Sequence, residues 1–353
     1  MSGFFSEKFK NLTPYTPGEQ PKDMKYIKLN TNESPFAPDS NVVTAVTSAV
    51  SSVNLYPDPD CKNLINKIAD RYNVSPEEVI VTNGSDEVLN FAFMAYCDIN
   101  HPAAFPDITY GFYPVFAEIN NVPYEEKSLT DDFKINLNEY CHCNKTIFIA
   151  NPNAPTGITL SVEEIEQILV SNPDSIVVID EAYVDFGAQS CVPLIKKYSN
   201  LLVTQTFSKS RSMAGGRVGF GIADKCIIND LNTLRYSTNP YNINKLSMVV
   251  AEAIIDNDDY YMDNCKKIIE NREYATNELK KMGFECTDSK ANFIFAKHPN
   301  ISGEDLYIKL KQNGILVRHF SKDKISEYNR ITVGTREQMD VLLNKIKSIL
   351  EEN

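Results

Sequence analysis

The sequence predicts an α/β protein that has a large domain, built on a mainly parallel central sheet flanked by helices, and a smaller α+β domain. Three observations predict this class. The chain has 353 residues, about twice the ~150 residues typical of one domain. Short β-branched runs alternate with helical patterns from about Val79 to Leu234. After Pro240 the pattern changes to a long helical stretch and then to short alternating elements.

The strands of the large domain are predicted from short runs rich in β-branched residues. Several of these runs are apolar without alternation, as expected of parallel strands that are covered on both faces. The candidates are Val79–Thr82, Ala103–Phe105, Thr146–Ala150, Ile176–Asp180, Leu201–Thr204 and Val218–Ile222.

Helix starts are marked by capping boxes, in which a serine or threonine is followed three residues later by an acidic residue or glutamine. The candidate capping residues are Ser75, Ser161, Ser302 and Thr335. One long helical stretch is predicted from roughly Asn244 to Lys281.

These patterns divide the chain into three parts. We predict an N-terminal arm over residues 1–28, a large domain over 29–245 and a small C-terminal domain over 246–353, with part of the arm packing on the small domain. The arm is rich in proline, which favours an extended segment lying on a surface.

The charge argues against polyanionic partners. Lys and Arg number 35 against 47 Asp and Glu, which gives a net charge of −12. A surface this acidic repels nucleic-acid phosphates and anionic membranes, so neither is expected as a partner. The stretch between Phe186 and Ala223, however, contains five basic residues and no Asp or Glu. A small phosphate bound there would respond mainly to these local charges.

The cysteines and apolar runs bear on localisation. The 8 cysteines include no CxxC pair, no apolar run approaches the ~18–20 residues needed to span a bilayer, and the N-terminal segment lacks the features of a secretory leader. We therefore expect a cytoplasmic protein with reduced thiols. Cys141, His142 and Cys143 have no second ligand pair, so no metal site is predicted.

The segment Thr204–Phe220 carries the strongest chemical signal. Lys209 follows a predicted strand at a Ser/Thr-rich turn, and Arg217 follows eight residues later beside two glycines. Small residues let backbone N–H groups approach a phosphate, arginine supplies a bidentate donor, and the lysine amine can form a Schiff base. Taken alone, the segment also fits a basic surface loop.

Two other segments end predicted strands. Asp180 ends an apolar strand, with Tyr183 three positions on, and carboxyl ends of parallel strands face the crevice where open α/β sheets bind ligands. The segment Ile149–Gly157 runs from a strand into a loop with two prolines. Each also fits an ordinary turn.

Together, in this order and spacing, the three segments resemble those of the fold-type I pyridoxal-phosphate aminotransferases, and most closely those of the histidinol-phosphate aminotransferase family. The resemblance covers nearly the whole chain. Further landmarks that match the family are Tyr15–Gly18, Leu29–Pro35, Leu55–Pro59, Asn83–Glu87, Thr109–Tyr113, Asn239–Asn242 and Arg330–Gly334.

The resemblance implies that the cofactor is pyridoxal 5′-phosphate and gives each matching residue a role. Lys209 would form the Schiff base with the cofactor and later carry a proton between substrate and cofactor. Asp180 would pair with the pyridine nitrogen, Tyr183 would hydrogen-bond the phenolic oxygen of the ring, and Tyr110 would stack on its face.

The resemblance also implies a phosphate site and a substrate site. The residues expected around the phosphate are Gly84, Ser85, Asp86, Thr206, Ser208 and Arg217, with Tyr56 reaching in from a partner subunit. Arg330 would hold the anionic group of the substrate, with Asn292, Arg318 and Tyr15 as further candidates.

One position departs from the family pattern. The family usually has asparagine directly before Pro-Thr-Gly, contacting the ring oxygen, and this chain has Ala154. Alanine has no side-chain donor. Either Asn153 reaches the ring oxygen instead, or Tyr183 acts alone.

The resemblance implies a homodimeric transaminase of histidine biosynthesis with an active site shared between subunits. The expected reaction converts L-histidinol phosphate and 2-oxoglutarate to imidazole-acetol phosphate and L-glutamate. Two alternatives on the same fold remain open, a threonine-phosphate decarboxylase and an aromatic amino acid aminotransferase, because pocket shape determines the substrate.

Overall fold

The structure is a computed structural model and describes residues 2, 4–10 and 12–352. Met1, Gly3 and Asn11 of the predicted arm, and Asn353 of the predicted small domain, lie outside the described residues.

Helices and strands alternate along most of this part of the chain. The helices are α1 (Ser40–Ala49), α2 (Lys62–Tyr72), α3 (Ser85–Tyr96), α4 (Phe112–Ile119), α5 (Leu137–Tyr140), α6 (Val162–Ser171), α7 (Lys225–Thr238), α8 (Lys245–Asp256), α9 (Asp258–Lys281), α10 (Gly303–Gln312) and α11 (Arg336–Glu351). The strands are β1 (Ile27–Lys28), β2 (Val79–Thr82), β3 (Ala103–Pro106), β4 (Tyr124–Lys127), β5 (Thr146–Ala150), β6 (Val177–Asp180), β7 (Leu201–Thr206), β8 (Gly219–Ala223), β9 (Glu285–Cys286), β10 (Phe293–Lys297), β11 (Ile315–Leu316), β12 (Arg318–His319) and β13 (Asn329–Thr332).

The central sheet has seven strands in the order β2-β8-β7-β6-β5-β3-β4. The strands from β7 to β4 pair in parallel, whereas β8 runs antiparallel to both β7 and β2. The prediction of a mainly parallel sheet is therefore confirmed. The antiparallel strand, β8, lies second from one edge of the sheet.

Burial on both faces explains the apolar runs that predicted these strands. In β5, Ile147 and Ile149 belong to the apolar cluster on one face of the sheet, and Phe148 belongs to the cluster on the other. Phe148 stacks on Phe93 of α3 with ring centres 4.0 Å apart. Because successive side chains of a strand alternate between faces, a strand covered on both sides is apolar at every position.

A second, smaller sheet has the order β12-β13-β10-β9 and is antiparallel throughout. Its core includes apolar side chains of α9, α10 and α11. The arm joins this region through β1, which pairs in parallel with β11, and Leu29, the first residue after the arm, is buried in the same core. The domain boundary at residue 245 stays a prediction; α8, directly after it, packs against α1 and α2.

The structure differs from the predicted helices at two places. The stretch from Asn244 to Lys281 forms two helices, because Asn257 leaves the helical conformation and donates its side-chain amide to Asp39. Asparagine favours such local breaks, since its side chain competes for hydrogen bonds. The capping box at Ser75 starts a single 3-10 turn, Pro76–Glu78, that leads into β2. The boxes at Ser161 and Thr335 start α6 and α11 as predicted.

Within the described ranges, none of the helices combines the length and apolar character needed to cross a membrane.

Candidate active site

The carboxyl ends of β6 and β7 lie side by side and place the central groups of the site. The two strands pair in parallel with Asp180 opposite Thr204. The chain after β7 passes through Ser208 and Lys209, so the lysine lies next to the end of β6. Residues that are far apart in sequence therefore share one crevice, as is usual at the carboxyl edge of an open α/β sheet.

Asp180 is a nearly buried carboxyl group with two hydrogen-bond donors. It is 5% exposed and accepts a hydrogen bond from Tyr113 Oη at 3.3 Å and from the Ala182 N–H at 3.1 Å. Burial, and to a lesser degree the nearby Asp86 carboxylate, raise the pKa of Asp180 from 3.8 to about 7. A positive charge beside this carboxylate would favour its ionised form.

Lys209 extends towards Tyr183 and the segment that follows β1. Its ammonium nitrogen is 3.3 Å from the carbonyl oxygen of Thr31 and 5.8 Å from the centre of the Tyr183 ring. The lysine is partly buried and lines the same cavity as Asp180 and Tyr183. An amine here is accessible to a small molecule and close to a buried carboxyl group.

A candidate anion-binding site lies at the start of α3. The first N–H groups of a helix have no partner within it, and the helix dipole favours negative charge there. Arg217 faces this end, with Nη2 at 3.3 Å from Asp86 Oδ2 and Nη1 at 3.5 Å from Ser208 Oγ. Thr206 Oγ1 donates to Ser208 Oγ at 3.0 Å. Hydroxyl, guanidinium and backbone donors therefore surround one small space.

Two glycines make this arrangement possible. Gly84 has φ of +81°, and a Cβ atom there would lie 2.6 Å from Arg217 Nη2. A Cβ atom at Gly219 would lie 2.2 Å from the backbone nitrogen of Ser85. Any side chain at either position would displace the arginine or the start of α3.

Two cavities meet at Lys209. The first, of about 400 Å³, is lined by Asp180, Tyr183, Arg217 and other residues of the anion-binding site. The second, of about 640 Å³, lies beside it and includes Tyr15, Arg318 and Arg330. The residues that line both cavities are Thr31, Tyr110, Ala154, Tyr183 and Lys209. The lysine amine can thus contact molecules in both spaces.

The second cavity carries two neighbouring arginines. Arg318 in β12 and Arg330 in β13 are paired across the small sheet. Arg318 donates to the backbone oxygens of Pro17 and Thr16 in the arm, and Arg330 Nη2 donates to the oxygen of Asn30 at 3.1 Å. Arg330 Nε is buried with no hydrogen-bond partner, and burial lowers the pKa of its guanidinium. An anion bound in the cavity would compensate the charge of both guanidinium groups.

Most of the residues predicted for the site line one of the two cavities. Those lining the first cavity are Ser85, Asp86, Tyr110, Asp180, Tyr183, Thr206, Ser208, Lys209 and Arg217. Gly84 precedes Ser85 at the helix start. The hydroxyl of Tyr110 donates to Asp86 Oδ1 at 2.6 Å, which fixes its ring at the cavity wall.

Three of the predicted residues line neither cavity of this chain, and one of them, Tyr56, is predicted to reach the site of a partner subunit. The Asn153 amide donates to Ile108 O and Thr156 Oγ1 and accepts from Thr109, so it is held against the segment after β3 and does not line the first cavity. Asn292 is fully buried and donates to the backbone oxygen of Asn32. Tyr56 is 79% exposed and stacks on Tyr241, outside both cavities.

Two contacts in the site were missed by sequence reasoning. Tyr113 reaches Asp180 from α4, and Asn32 donates to Tyr183 Oη at 3.0 Å. Both residues lie inside segments that match the family landmarks, and this match is the sequence signal that could have identified them. Among the described residues no group of three or more His, Cys, Asp or Glu side chains could hold a metal ion.

The sequence model of the family described as "Aminotransferase class I and II" matches residues 24–346. The chain belongs to this family. A histidinol-phosphate aminotransferase of Brachyspira hyodysenteriae is 48% identical over 353 residues, covering 99% of this chain and 100% of that protein. One of Clostridium beijerinckii is 46% identical and covers 100% of this chain and 99% of that protein. The family predicted from the sequence motifs is confirmed.

Solved structures of aminotransferases confirm the predicted fold. The Sinorhizobium meliloti histidinol-phosphate aminotransferase in complex with pyridoxal-5′-phosphate has a TM-score of 0.89 at 20% identity, covering 99% of both chains. The L-threonine-O-3-phosphate decarboxylase of Porphyromonas gingivalis has a TM-score of 0.81 at 20% identity, covering 92% of this chain and 99% of its own. Two activities thus share this architecture.

The raised pKa of Asp180 predicts a stability that falls with pH in the cofactor-free aminotransferase. Between about pH 4 and 7 the folded state keeps a proton that the unfolded chain has lost, so stability decreases as the pH rises through this window. Asp180→Asn cannot ionise. Urea unfolding should show this variant more stable than the wild type at about pH 8, by up to ~4 kcal/mol, and similar near pH 4.

An exposed carboxylate provides the matched control for this measurement. Asp174→Asn should change stability little at either pH. If the stability difference between Asp180→Asn and the wild type is the same at both pH values, burial does not hold the Asp180 carboxyl group in its protonated form.

Proposed function

We propose that this protein is a pyridoxal-phosphate-dependent aminotransferase that converts L-histidinol phosphate and 2-oxoglutarate to imidazole-acetol phosphate and L-glutamate. The observation that carries the proposal is the position of Lys209 at the junction of two cavities, one suited to a phosphorylated pyridine and one to an anionic substrate. Curated relatives of this name at 45–48% identity over the full chain support the choice of substrate.

The residues of the first cavity fit pyridoxal phosphate. The start of α3, Ser208 and Arg217 offer donors for its phosphate, and Gly84 and Gly219 leave the room that a Cβ atom would fill. When bound, the cofactor supplies an electron sink that stabilises negative charge at the carbon bearing the amino group.

The side chains of the cavity have separate tasks. Asp180 would face the ring nitrogen, and the positive charge of a protonated ring would lower the pKa of this buried carboxyl group and hold it ionised. Tyr183 would hydrogen-bond the ring oxygen, and Tyr110 would cover one face of the ring. Lys209 Nζ takes the proton from the substrate carbon that bears the amino group.

The second cavity suits both substrates through one anion site. Histidinol phosphate carries a phosphate and 2-oxoglutarate carries carboxylates, so a guanidinium pair at Arg318 and Arg330 can hold either in turn. Tyr15 stacks on Phe112 at the cavity wall, with ring centres 4.3 Å apart, and brings the arm over the site. Bound substrate would thereby be shielded from water.

A substrate panel tests the proposed reaction. Purified protein loaded with pyridoxal phosphate is mixed with histidinol phosphate, threonine phosphate or phenylalanine, each with 2-oxoglutarate, while glutamate and carbon dioxide are measured. We expect glutamate with histidinol phosphate, at a kcat/KM at least tenfold above that for phenylalanine, and no carbon dioxide from threonine phosphate. Carbon dioxide release, or preference for phenylalanine, would replace the proposed substrate with one of the alternatives.

We propose further that the enzyme is a homodimer whose partner subunit supplies Tyr56. The segment around this tyrosine exposes several large apolar side chains, with Leu55 61% exposed. Such a cluster is typical of a surface covered by a second chain. The exposed members are Val50, Val53, Leu55, Tyr56 and Tyr241.

Mixing two inactive variants tests the shared site. Lys209→Ala keeps Tyr56, and Tyr56→Ala keeps Lys209, so one of the two sites in a mixed dimer regains both residues. After the variants are unfolded and refolded together, activity should exceed the sum of the separate variants and approach about one quarter of wild type, since half of the dimers are mixed. Activity equal to that sum would mean that a single chain supplies both residues.

A cytoplasmic location is also proposed. All eight cysteines are free thiols, and several of them are buried. Unpaired cysteines are usual in the reducing cytoplasm.

A further inference from the structure

The hydroxyl of Tyr183 is held by a residue from a distant segment. Asn32 Nδ2 lies 3.0 Å from Tyr183 Oη, and both side chains are nearly buried. Asn32 is 1% exposed and has φ of +57°, a conformation that asparagine adopts more readily than most residues. Such a residue is retained where its polar groups have specific partners.

Four hydrogen bonds hold Asn32 in place. Its backbone N–H donates to Thr332 Oγ1 at 2.9 Å, and its backbone oxygen accepts from Asn292 Nδ2 at 2.9 Å. Its side-chain oxygen accepts from Thr332 Oγ1 at 3.0 Å, and its side-chain nitrogen contacts Tyr183. Both polar atoms of the side-chain amide therefore have a partner, which restricts its rotation.

The threonine hydroxyl determines which way the amide points. A backbone N–H can only donate, so Thr332 Oγ1 accepts from Asn32 N and has its own proton available for the Asn32 side chain. In the structure this proton goes to Asn32 Oδ1 at 3.0 Å, since the oxygen is the only acceptor of the side-chain amide. The amide nitrogen is thus directed at Tyr183, and the phenolic oxygen of Tyr183 accepts a hydrogen bond from it.

An accepting phenol keeps its own proton for another partner. Tyr183 lines the first cavity beside Lys209, and Ala154 in the same wall has no side-chain donor to offer. We propose that Asn32 is a positioning residue that directs the Tyr183 hydroxyl proton into the cavity, where Tyr183 donates it to the ring oxygen of the cofactor. This inference rests on the proposed cofactor site and adds a residue to it.

The hydrogen bond from Asn32 should also strengthen Tyr183 as a donor. Donation to the phenolic oxygen polarises its O–H bond, as in other hydrogen-bonded chains. A stronger donor stabilises negative charge on the ring oxygen and weakens the hold of that oxygen on the proton at the neighbouring lysine nitrogen. Loss of Asn32 should therefore raise the pH at which this proton leaves.

Several charged or titratable groups also face this site and remain unchanged in the variants below. Arg330 lies close enough to Tyr183 to interact with it electrostatically. Other titratable groups near it include Glu33, Asp86, Tyr110, Tyr113, Asp180 and Arg217 around the first cavity, and Tyr15 and Arg318 in the second. Their contribution to a titration is common to wild type and variants, so it cancels in the comparison.

The test is a pH titration of the visible absorption band of the protein loaded with pyridoxal phosphate. Asn32→Ala should raise the midpoint by roughly 0.5–1 pH unit, and Tyr183→Phe should raise it at least as much. In the double variant, Asn32→Ala should add nothing to the effect of Tyr183→Phe, because it acts through that hydroxyl. A purely structural role for Asn32 would not give this dependence on Tyr183.

Variants at Thr332 provide a matched control and a second route to the answer. Thr332→Ser keeps the hydroxyl and should leave the midpoint unchanged, whereas Thr332→Val frees the amide to turn and should raise it. If Asn32→Ala does not fold, the Thr332 pair alone decides.

Two results would overturn the inference. One is a titration midpoint that is unchanged in Asn32→Ala or, if that variant does not fold, unchanged in Thr332→Val. The other is an equal shift from Asn32→Ala in the presence and absence of the Tyr183 hydroxyl. In either case the wild type still shows an absorption band that titrates, so the proposed function stands. A wild type with no visible band would contradict the proposed function and this inference together.

Discussion

The parallel pairing of β6 with β7 is the constraint on which the site depends. Its register sets Asp180 opposite Thr204, so the turn that carries Ser208 and Lys209 begins beside the buried carboxyl group. A slip of one residue would turn every side chain of the strand to the opposite face. Close packing fits the side chains of both strands to separate apolar clusters on the two faces, so such a slip would disrupt both clusters.

The same region concentrates buried charge, which must be compensated. Arg211, two residues after Lys209, is almost fully buried and contacts Asp258 at 2.8 Å and Asp185 at 3.1 Å. These pairs tie the lysine turn to the start of α9 and to the turn that follows β6. Asp180 has no such cation in direct contact and has a raised pKa. A cationic ligand is therefore the partner that this carboxyl group lacks.

Much of the fold and part of the site could be predicted because they depend on local patterns. The runs Val79–Thr82 and Thr146–Ala150 are strands with the predicted bounds. Asp180 ends a strand that the sequence marks, and Lys209 follows another. The contacts of Asn32 and Asn153 could not be predicted, because their partners come from other segments. Asn153 is adjacent to the expected position, yet Thr109 and Ile108 hold its amide elsewhere.

The central claim is that Lys209 is the residue that bonds to pyridoxal phosphate. Borohydride reduction of the loaded protein converts a Schiff base to a stable amine, and peptide mass analysis then locates the modified lysine. We expect one pyridoxyl group per chain on the peptide containing Lys209, and none in Lys209→Ala. Label on another lysine, or unchanged labelling in that variant, would mean that Lys209 is not the residue that bonds to the cofactor.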